Sequence, residues 1–429
     1  MVNTIKKLLF GSDKRIPARI MFWNMAASML YSLQSAILLL VVTRHGGLSQ
    51  AGVYSIVYAV AQTFAAMGSY SMRGFLVSDT RNEYAFETYY TAHVVTCTAM
   101  LACCFFYAFA NRMSADEITA VMLMGVYRAV DGMEDLYLGE IQKRGRLDVA
   151  SKEEVVRIAL ATFGFAAVYV LTDNLILASG TMAVTAVVVC YFLMRVILTE
   201  YPGARGRITF RRVWKLLAVC FPIFLGAILY NYLINTPKYA INRNLDSESQ
   251  AIFNILFMSI FAINLLSSFI FNPLIGRMGE WWNGGEKKKF LYLILKQVVI
   301  VTAISGIIIL AAYFLGCPVL SLVFGVDLAG YRGLLCLLLC FGGVAALDAF
   351  FAIVLTVMRR QHYIIIGYAL AFTVNYFSMD QIVMAKGLTG AGMVYGLTMG
   401  VVLLVFIFGA LSHKGWYGND QKTDYKAVS

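Results

Sequence analysis

Charge, proline and histidine are all scarce in this chain. Asp, Glu, Lys and Arg together make up 14% of its 429 residues, where a soluble domain carries about 25%. That scarcity argues against an ordinary soluble enzyme or solvated binding module. Six prolines leave few points at which a helix must stop. Four scattered histidines, and eight cysteines without a Cys-x-x-Cys pair, give no zinc spacing and no redox motif. The cysteines read as small buried hydrophobes. No Gly-x-x-x-x-Gly-Lys-[Ser/Thr] loop occurs, so nothing points to a nucleotide triphosphatase. His-Glu-x-x-His and Gly-x-Ser-x-Gly are absent as well, and no hydrolase is recognisable. No break between hydrophobic segments exceeds about 20 residues, which leaves no room for a soluble domain.

What fills the chain is hydrophobic length, with 60% of residues apolar. About 20 apolar residues in a helix span the hydrocarbon core. Lipid offers no hydrogen bonds, so such segments must be helices. Twelve stretches qualify: 17–43, 51–75, 87–110, 116–141, 154–171 and 175–199, then 213–233, 250–277, 290–315, 330–358, 363–386 and 388–411. The first is too long for a signal-peptide core and reads as a permanent span. The expected fold is all-α and polytopic, with about twelve transmembrane helices. The expected organisation is an N-terminal lobe over 1–200, a basic linker over 201–212, a C-terminal lobe over 213–411 and a tail over 412–429.

A net charge of +11 could suggest nucleic acid, but its distribution argues for a membrane. Basic residues crowd alternate loops, with about 25 on one side and 6 on the other. The positive-inside rule then puts both termini in the cytoplasm. An internal repeat is also visible. Ser49-Gln50-Ala51 and Ser249-Gln250-Ala251 recur at an offset of 200, each between the first and second span of a half. This points to a parallel six-plus-six duplication, an architecture of transporters that bind substrate between the halves.

Ionisable residues inside spans are functional candidates by default, because charge at the bilayer centre is costly. The fourth span holds Arg128, Asp131, Glu134, Asp135 and Glu140. Arg128, Asp131 and Asp135 fall within about 60° of one another on a helix. Two readings stand: Arg128 pairs internally with both aspartates, or the stripe walls a polar cavity. In the seventh span Asn231, Asn235, Lys238 and Asn242 share a face, and Pro237 favours a kink. Milder polar faces comprise Asn24, Ser28, Tyr31 and Ser35 in the first span, Gln62, Ser69 and Arg73 in the second, and Asn254, Ser268 and Asn272 in the eighth. Polar contacts between helices explain any one of them as well as a cavity does. Asp348, Asn375 and His93 read as packing residues, and Trp281-Trp282 beside Lys287–Lys289 as an interfacial anchor.

Four segments carry a resemblance. They are Gly68-Ser69-Tyr70-Ser71-Met72-Arg73 running to Ser78-Asp79, and the run from Asp131 to Leu147. The others are Asn235-Thr236-Pro237-Lys238-Tyr239-Ala240-Ile241 with Gln250-Ala251-Ile252-Phe253-Asn254, and the run from Asn264 to Pro273. With these the chain resembles the polysaccharide transporter branch of the multidrug/oligosaccharidyl-lipid/polysaccharide exporter superfamily, the bacterial O-antigen and capsular lipid-linked oligosaccharide flippases. The resemblance implies two six-helix lobes around a central cavity in a bacterial cytoplasmic membrane. It further implies movement of a polyprenyl-pyrophosphate-linked sugar to the outer leaflet by alternating access. On that footing Arg73, Lys238 and Arg243 are candidate pyrophosphate contacts, since cations in a low-dielectric cleft make charge-assisted hydrogen bonds. Asn24, Asn231 and Asn235 are candidate sugar or lining contacts. Arg128, Asp131 and Asp135 are candidates for gating or for coupling to an H+ or Na+ gradient. No cofactor, metal or nucleic acid is expected. The expected partners are the lipid-linked oligosaccharide, membrane lipid and polysaccharide-assembly proteins. A cation-coupled exporter of small amphipathic drugs is the alternative, although basic cavity residues count against it. A membrane-embedded acyltransferase or glycosyltransferase would need a catalytic His or acidic residues in a large loop, and neither is present.

Overall fold

The computed structural model describes residues 16–78, 83–200, 209–271 and 274–412. Among them every regular element is helical, as lipid requires of a chain so poor in polar residues. Linker residues 201–208, the tail from 413, and Asn272 with its neighbour Pro273 lie outside the described residues.

The first helix, α1, is Ile16–Ser69, a stretch of 54 residues. Unbroken it would be about 81 Å long, far more than the ~30 Å of hydrocarbon. It breaks at Gly47, with φ of 74° and ψ of −177°, inside the boundary expected between the first two spans. A tight turn follows at Tyr70 and Ser71, both in the left-handed region, and Tyr70 is stacked on Phe224 at 4.2 Å. The short α2, Met72–Ser78, comes next. The expected second span 51–75 is therefore divided, and Arg73 does not share a continuous helical face with Gln62 and Ser69.

Then come α3 (Phe86–Ala110), α4 (Ala115–Lys143), α5 (Leu147–Thr172), α6 (Leu175–Glu200) and α7 (Phe210–Asn244). A capping box starts α4: the Ser114 hydroxyl accepts from the Glu117 amide, and the Glu117 carboxylate accepts from the Ser114 amide, satisfying two otherwise orphaned donors. α7 runs as one helix of 35 residues that continues through Pro237. Next are α8 (Ser247–Phe271), α9 (Ile275–Asn283) and α10 (Lys287–Ala311). Asp246 caps α8, and the Ser249 amide and hydroxyl hold its carboxyl below the usual carboxylate range. Both Ser-Gln-Ala repeats thus open a helix, one just after the Gly47 break and one in the first turn of α8.

A π-helical turn, Ala312–Gly316, continues into α11 (Cys317–Phe324), followed by α12 (Arg332–Val357) and α13 (His362–Leu411). The 50 residues of α13 break at Gly387, with φ of 58°, between the spans expected at 363–386 and 388–411. Three residues on, a Cβ at Gly390 would collide with the backbone carbonyl of Ile382. Backbone cannot rotate away, so Gly390→Ala is expected to cost about 1–3 kcal/mol, read as a lower thermal midpoint of the detergent-solubilised protein.

Among the described residues eight helical stretches are long and apolar enough to cross a membrane. α4 is not one of them, because its own charges disqualify it. Large apolar side chains point outward, Leu171 for example at 82% exposure, the arrangement that a lipid solvent favours. The chain forms two compact units, Met1–Asn235 and Thr236–Ser429. In the first, α1 packs on α3, α4 and α5, and α6 packs on α4 and α5. One apolar core joins Met72 and Leu76 of α2, Tyr89 of α3, Leu136 of α4 and Leu216 of α7. In the second unit, α12 is central and packs on α8, α10 and α13.

Candidate functional site

The fourth-span stripe is buried in the first unit, and α5 supplies much of its pairing. Arg128 is 2% exposed. Its guanidinium binds Asp131 at 2.6 Å and donates to the Tyr58 hydroxyl and, at 3.4 Å, to the Tyr31 hydroxyl. It lies over the rings of Tyr31, Tyr58 and Tyr127 at 5.0–5.4 Å. Three aromatic faces and one carboxylate thus replace its hydration. Behind Tyr127, Gln34 of α1 donates to Thr162 of α5 at 2.9 Å and accepts from the Tyr127 hydroxyl at 3.1 Å.

Arg157 of α5 ties the stripe together. Its Nε donates to Glu134 Oε1 at 2.7 Å, one Nη reaches Glu134 Oε2 at 2.5 Å, and the other reaches Asp131 at 2.7 Å. The Glu134 contact is a bidentate fork, the strongest geometry for this pair. Asp135 faces elsewhere. It binds Arg73 of α2 at 2.9 Å, and Arg73 also donates to Gln142 at 3.1 and 3.0 Å. The expected pairing of Arg128 with both aspartates is therefore corrected: Asp131 pairs with Arg128 and Arg157, and Asp135 with Arg73.

These residues wall a cavity of about 430 Å³. Its polar lining comes from Ser28, Tyr31, Ser32, Gln62 and Ser69 of α1, from Arg128, Asp131, Glu134 and Asp135 of α4, from Glu154 and Arg157 of α5, and from Asn231 of α7. Both sequence readings of the stripe hold at once, since it is ion-paired and it walls a cavity. Four acids face two guanidiniums in the lining, and Arg73 compensates one acid from behind.

The other candidates fall in different places. Asn235, one turn beyond Asn231, is buried and donates to Thr63 at 3.1 Å and to the Asn231 carbonyl at 3.0 Å. Asn24 is exposed on α1 and is not part of the lining. Lys238 belongs to the second unit and is 7% exposed. Its ammonium sits 5.6 Å from the centroid of the Phe257 ring, with no carboxylate in ion-pair range among the described residues. Arg243 is 41% exposed and pairs with Asp380 at 2.9 Å, where Asn244 also donates.

Sequence reasoning missed Arg157, Glu153 and Glu154 as site residues. Glu153 and Arg157 stand at i and i+4, and Glu154 and Arg157 at i and i+3, the spacings that share a helix face. The sequence reading singles out none of them, because a fifth span started at 154 puts all three at its polar edge. The helix begins at Leu147, which puts Arg157 about 15 Å along it.

One group of potential metal donors stands among the described residues: Glu134, Glu153 and Cys190, with ligand atoms all within 4.8 Å of one another. Arg157 already occupies both Glu134 oxygens, which leaves that carboxylate engaged rather than open to a cation. The trio does not fit a metal centre.

No family model matches the chain. It is 19% identical over 387 residues to a capsular polysaccharide biosynthesis protein, CapF, of Staphylococcus aureus, covering 89% of this chain and 96% of that one. The lipid II flippase MurJ, in an inward closed conformation, matches with a TM-score of 0.72 at 9% identity, over 91% of this chain and 88% of MurJ. An inward-facing multidrug resistance MATE family transporter of the MOP superfamily matches with a TM-score of 0.58 at 14% identity, over 91% of this chain and 94% of that one. The chain has the fold that these two solved structures share. The all-helical architecture expected from apolar length and the resemblance drawn from the four segments agree with it. Within that fold, the paired stripe on α4 and α5 brings Arg128, Asp131, Glu134 and Arg157 into one buried network.

Proposed function

We propose that this protein is a transporter that moves a polyprenyl-pyrophosphate-linked oligosaccharide from the cytoplasmic to the outer leaflet of a bacterial cytoplasmic membrane. The observation that carries the reading is the cavity: about 430 Å³ lined by hydroxyls, amides and charges, within helices whose outer faces are apolar. Such an interior is costly in a bilayer unless it serves a polar cargo. CapF, a capsular polysaccharide biosynthesis protein, and MurJ, a lipid II flippase, support the cargo class. Lys238 supports an anionic headgroup, because its buried ammonium meets only an aromatic ring in the described structure. In this reading Asn231 and the α1 hydroxyls meet sugar, Lys238 meets pyrophosphate, and Arg73 holds Asp135 in place. The lobes 1–200 and 213–411 alternate access, both termini are cytoplasmic, and polysaccharide-assembly proteins are the partners.

The test is flipping of a fluorescent polyprenyl-pyrophosphate oligosaccharide in proteoliposomes, read by an external quencher. Protein-dependent loss of protected fluorescence is expected. No flipping with any of several sugars sinks the proposal. A second reading, export of small amphipathic cations, is favoured by the four acids against two guanidiniums in the cavity lining. Uptake of a cationic dye into the same vesicles would support it.

A further inference from the structure

Glu153 stands apart from the other buried acids of the first unit. It is 0% exposed, and among the described residues neither of its carboxylate oxygens meets a hydrogen-bond donor. Glu134 lies against it, with Cys190 of α6 completing the group within 4.8 Å. The two guanidiniums buried among the described residues are already used: Arg157 by Glu134 and Asp131, and Arg128 by Asp131. Three carboxyl groups (Asp131, Glu134 and Glu153) therefore share two positive charges. Fully ionised, the cluster would keep one unpaired negative charge inside a membrane-spanning bundle, a state that burial disfavours strongly.

We infer that Glu153 and Glu134 hold one exchangeable proton between them, a proton-carrying pair set directly behind the cavity wall. One proton removes the unpaired charge. It also turns a carboxylate–carboxylate contact from repulsion into an O–H···O⁻ hydrogen bond, with one group donating and the other accepting. Two carboxyls that share a site release their protons separately, one retained while the other is ionised. The groups around the pair favour this arrangement. Arg157 of α5 grips Glu134 through both carboxylate oxygens. Glu154, also on α5, lies close enough to oppose ionisation of Glu153. Asp131 and Arg128 of α4 neutralise each other beyond Arg157, and Cys190 contributes a thiol from α6. From α1, Arg19 is spent on Asp148 at 2.6 Å, a turn earlier on α5. Glu134 and Glu154 both line the cavity, so a proton reaches Glu153 from the cavity through one carboxyl. The use of this proton to drive transport rests on the transporter reading above; its presence does not.

The experiment treats the full chain in lipid nanodiscs with dicyclohexylcarbodiimide, which modifies protonated carboxyls in apolar surroundings, and maps the adduct by peptide mass spectrometry. Glu153 is expected to be labelled at mildly acidic pH. Labelling should fall by about tenfold per pH unit beyond the titration, and replacing choline by Na+ should not change it. Glu153→Gln identifies the labelled peptide by losing the adduct. An unlabelled Glu153 at every pH overturns the inference, and so does protection by Na+, which would mean that a metal ion occupies the site. In proteoliposomes, Glu153→Gln is expected to lose the acceleration that a pH gradient gives the wild-type chain; undiminished acceleration overturns the coupling. Labelled Glu153 with no wild-type flipping sinks the transporter reading and leaves the proton pair. Flipping without labelling does the reverse.

Discussion

Arg157→Met is expected to destabilise the protein by about 3–5 kcal/mol, the cost of breaking a buried ion pair from one side. Arg157 is 1% exposed and makes three short charged contacts: two to Glu134 and one to Asp131. Methionine fills much of the volume, so the loss comes from charge and hydrogen bonding rather than from a cavity. Asp131 keeps Arg128 at 2.6 Å, but Glu134 loses its only guanidinium while Glu153 stands beside it. The effect should therefore depend on Glu134. In the double variant Arg157→Met with Glu134→Gln most of the stability is expected to return, because no unpaired ion remains. Arg157→Lys keeps the charge but loses the fork, and should fall between the two. Thermal unfolding in detergent measures all three. A single-variant loss under about 1 kcal/mol would mean that water reaches the pair and screens it.

Lys238→Met is expected to do the opposite, leaving stability intact and removing transport. The Lys238 ammonium is buried against the Phe257 ring and meets no carboxylate in the described structure. A cation held this way costs folding energy, so an apolar side chain of similar length should be tolerated or slightly stabilising. If the ammonium meets the pyrophosphate, one charge-assisted contact worth about 1.5–3 kcal/mol is lost. That corresponds to a fall of about 10- to 150-fold in the flipping rate at low substrate, measured against surface-matched expression. Lys238→Arg should retain a good part of the activity. Wild-type flipping by Lys238→Met would move the anion site elsewhere. The same assay separates Lys238 from Arg243, whose half-exposed pair with Asp380 belongs to a class worth about 0–1 kcal/mol.

These two residues also mark how far the chain could be read without its structure. Lys238 was legible as a candidate because it shares a polar face with Asn231, Asn235 and Asn242 in a hydrophobic span, and its burial is what the structure adds. Arg157 was not. It lies near the polar start of a span, where charge is ordinary, and only the extension of α5 back to Leu147 carries it inward. Arg73 shows a different limit. Helical periodicity aligned it with Gln62 and Ser69, but the left-handed pair Tyr70 and Ser71 turns the chain between them. Non-glycine residues in that conformation leave little trace in sequence. Gly47 and Gly387, by contrast, lie at boundaries that apolar length alone had placed, since no helix of 50 residues fits one crossing.

The amino-acid sequence by itself determined the solvent and the secondary structure, and it marked the charged stripe of the fourth span. A chain this apolar has one way to satisfy its backbone in lipid, and each polar residue within it stands out against that background. The pairing was decided only by tertiary structure. The angular period of one helix tells which residues share its face, but not which neighbouring helix supplies the counter-charge. α5 brings Arg157 to Glu134 and Asp131, α2 brings Arg73 to Asp135, and Glu153 is left facing Glu134 without a cation of its own. That imbalance arises from three helices meeting. It exists in no single stretch of the chain, because electrostatic energy depends on distance in space rather than on separation in sequence.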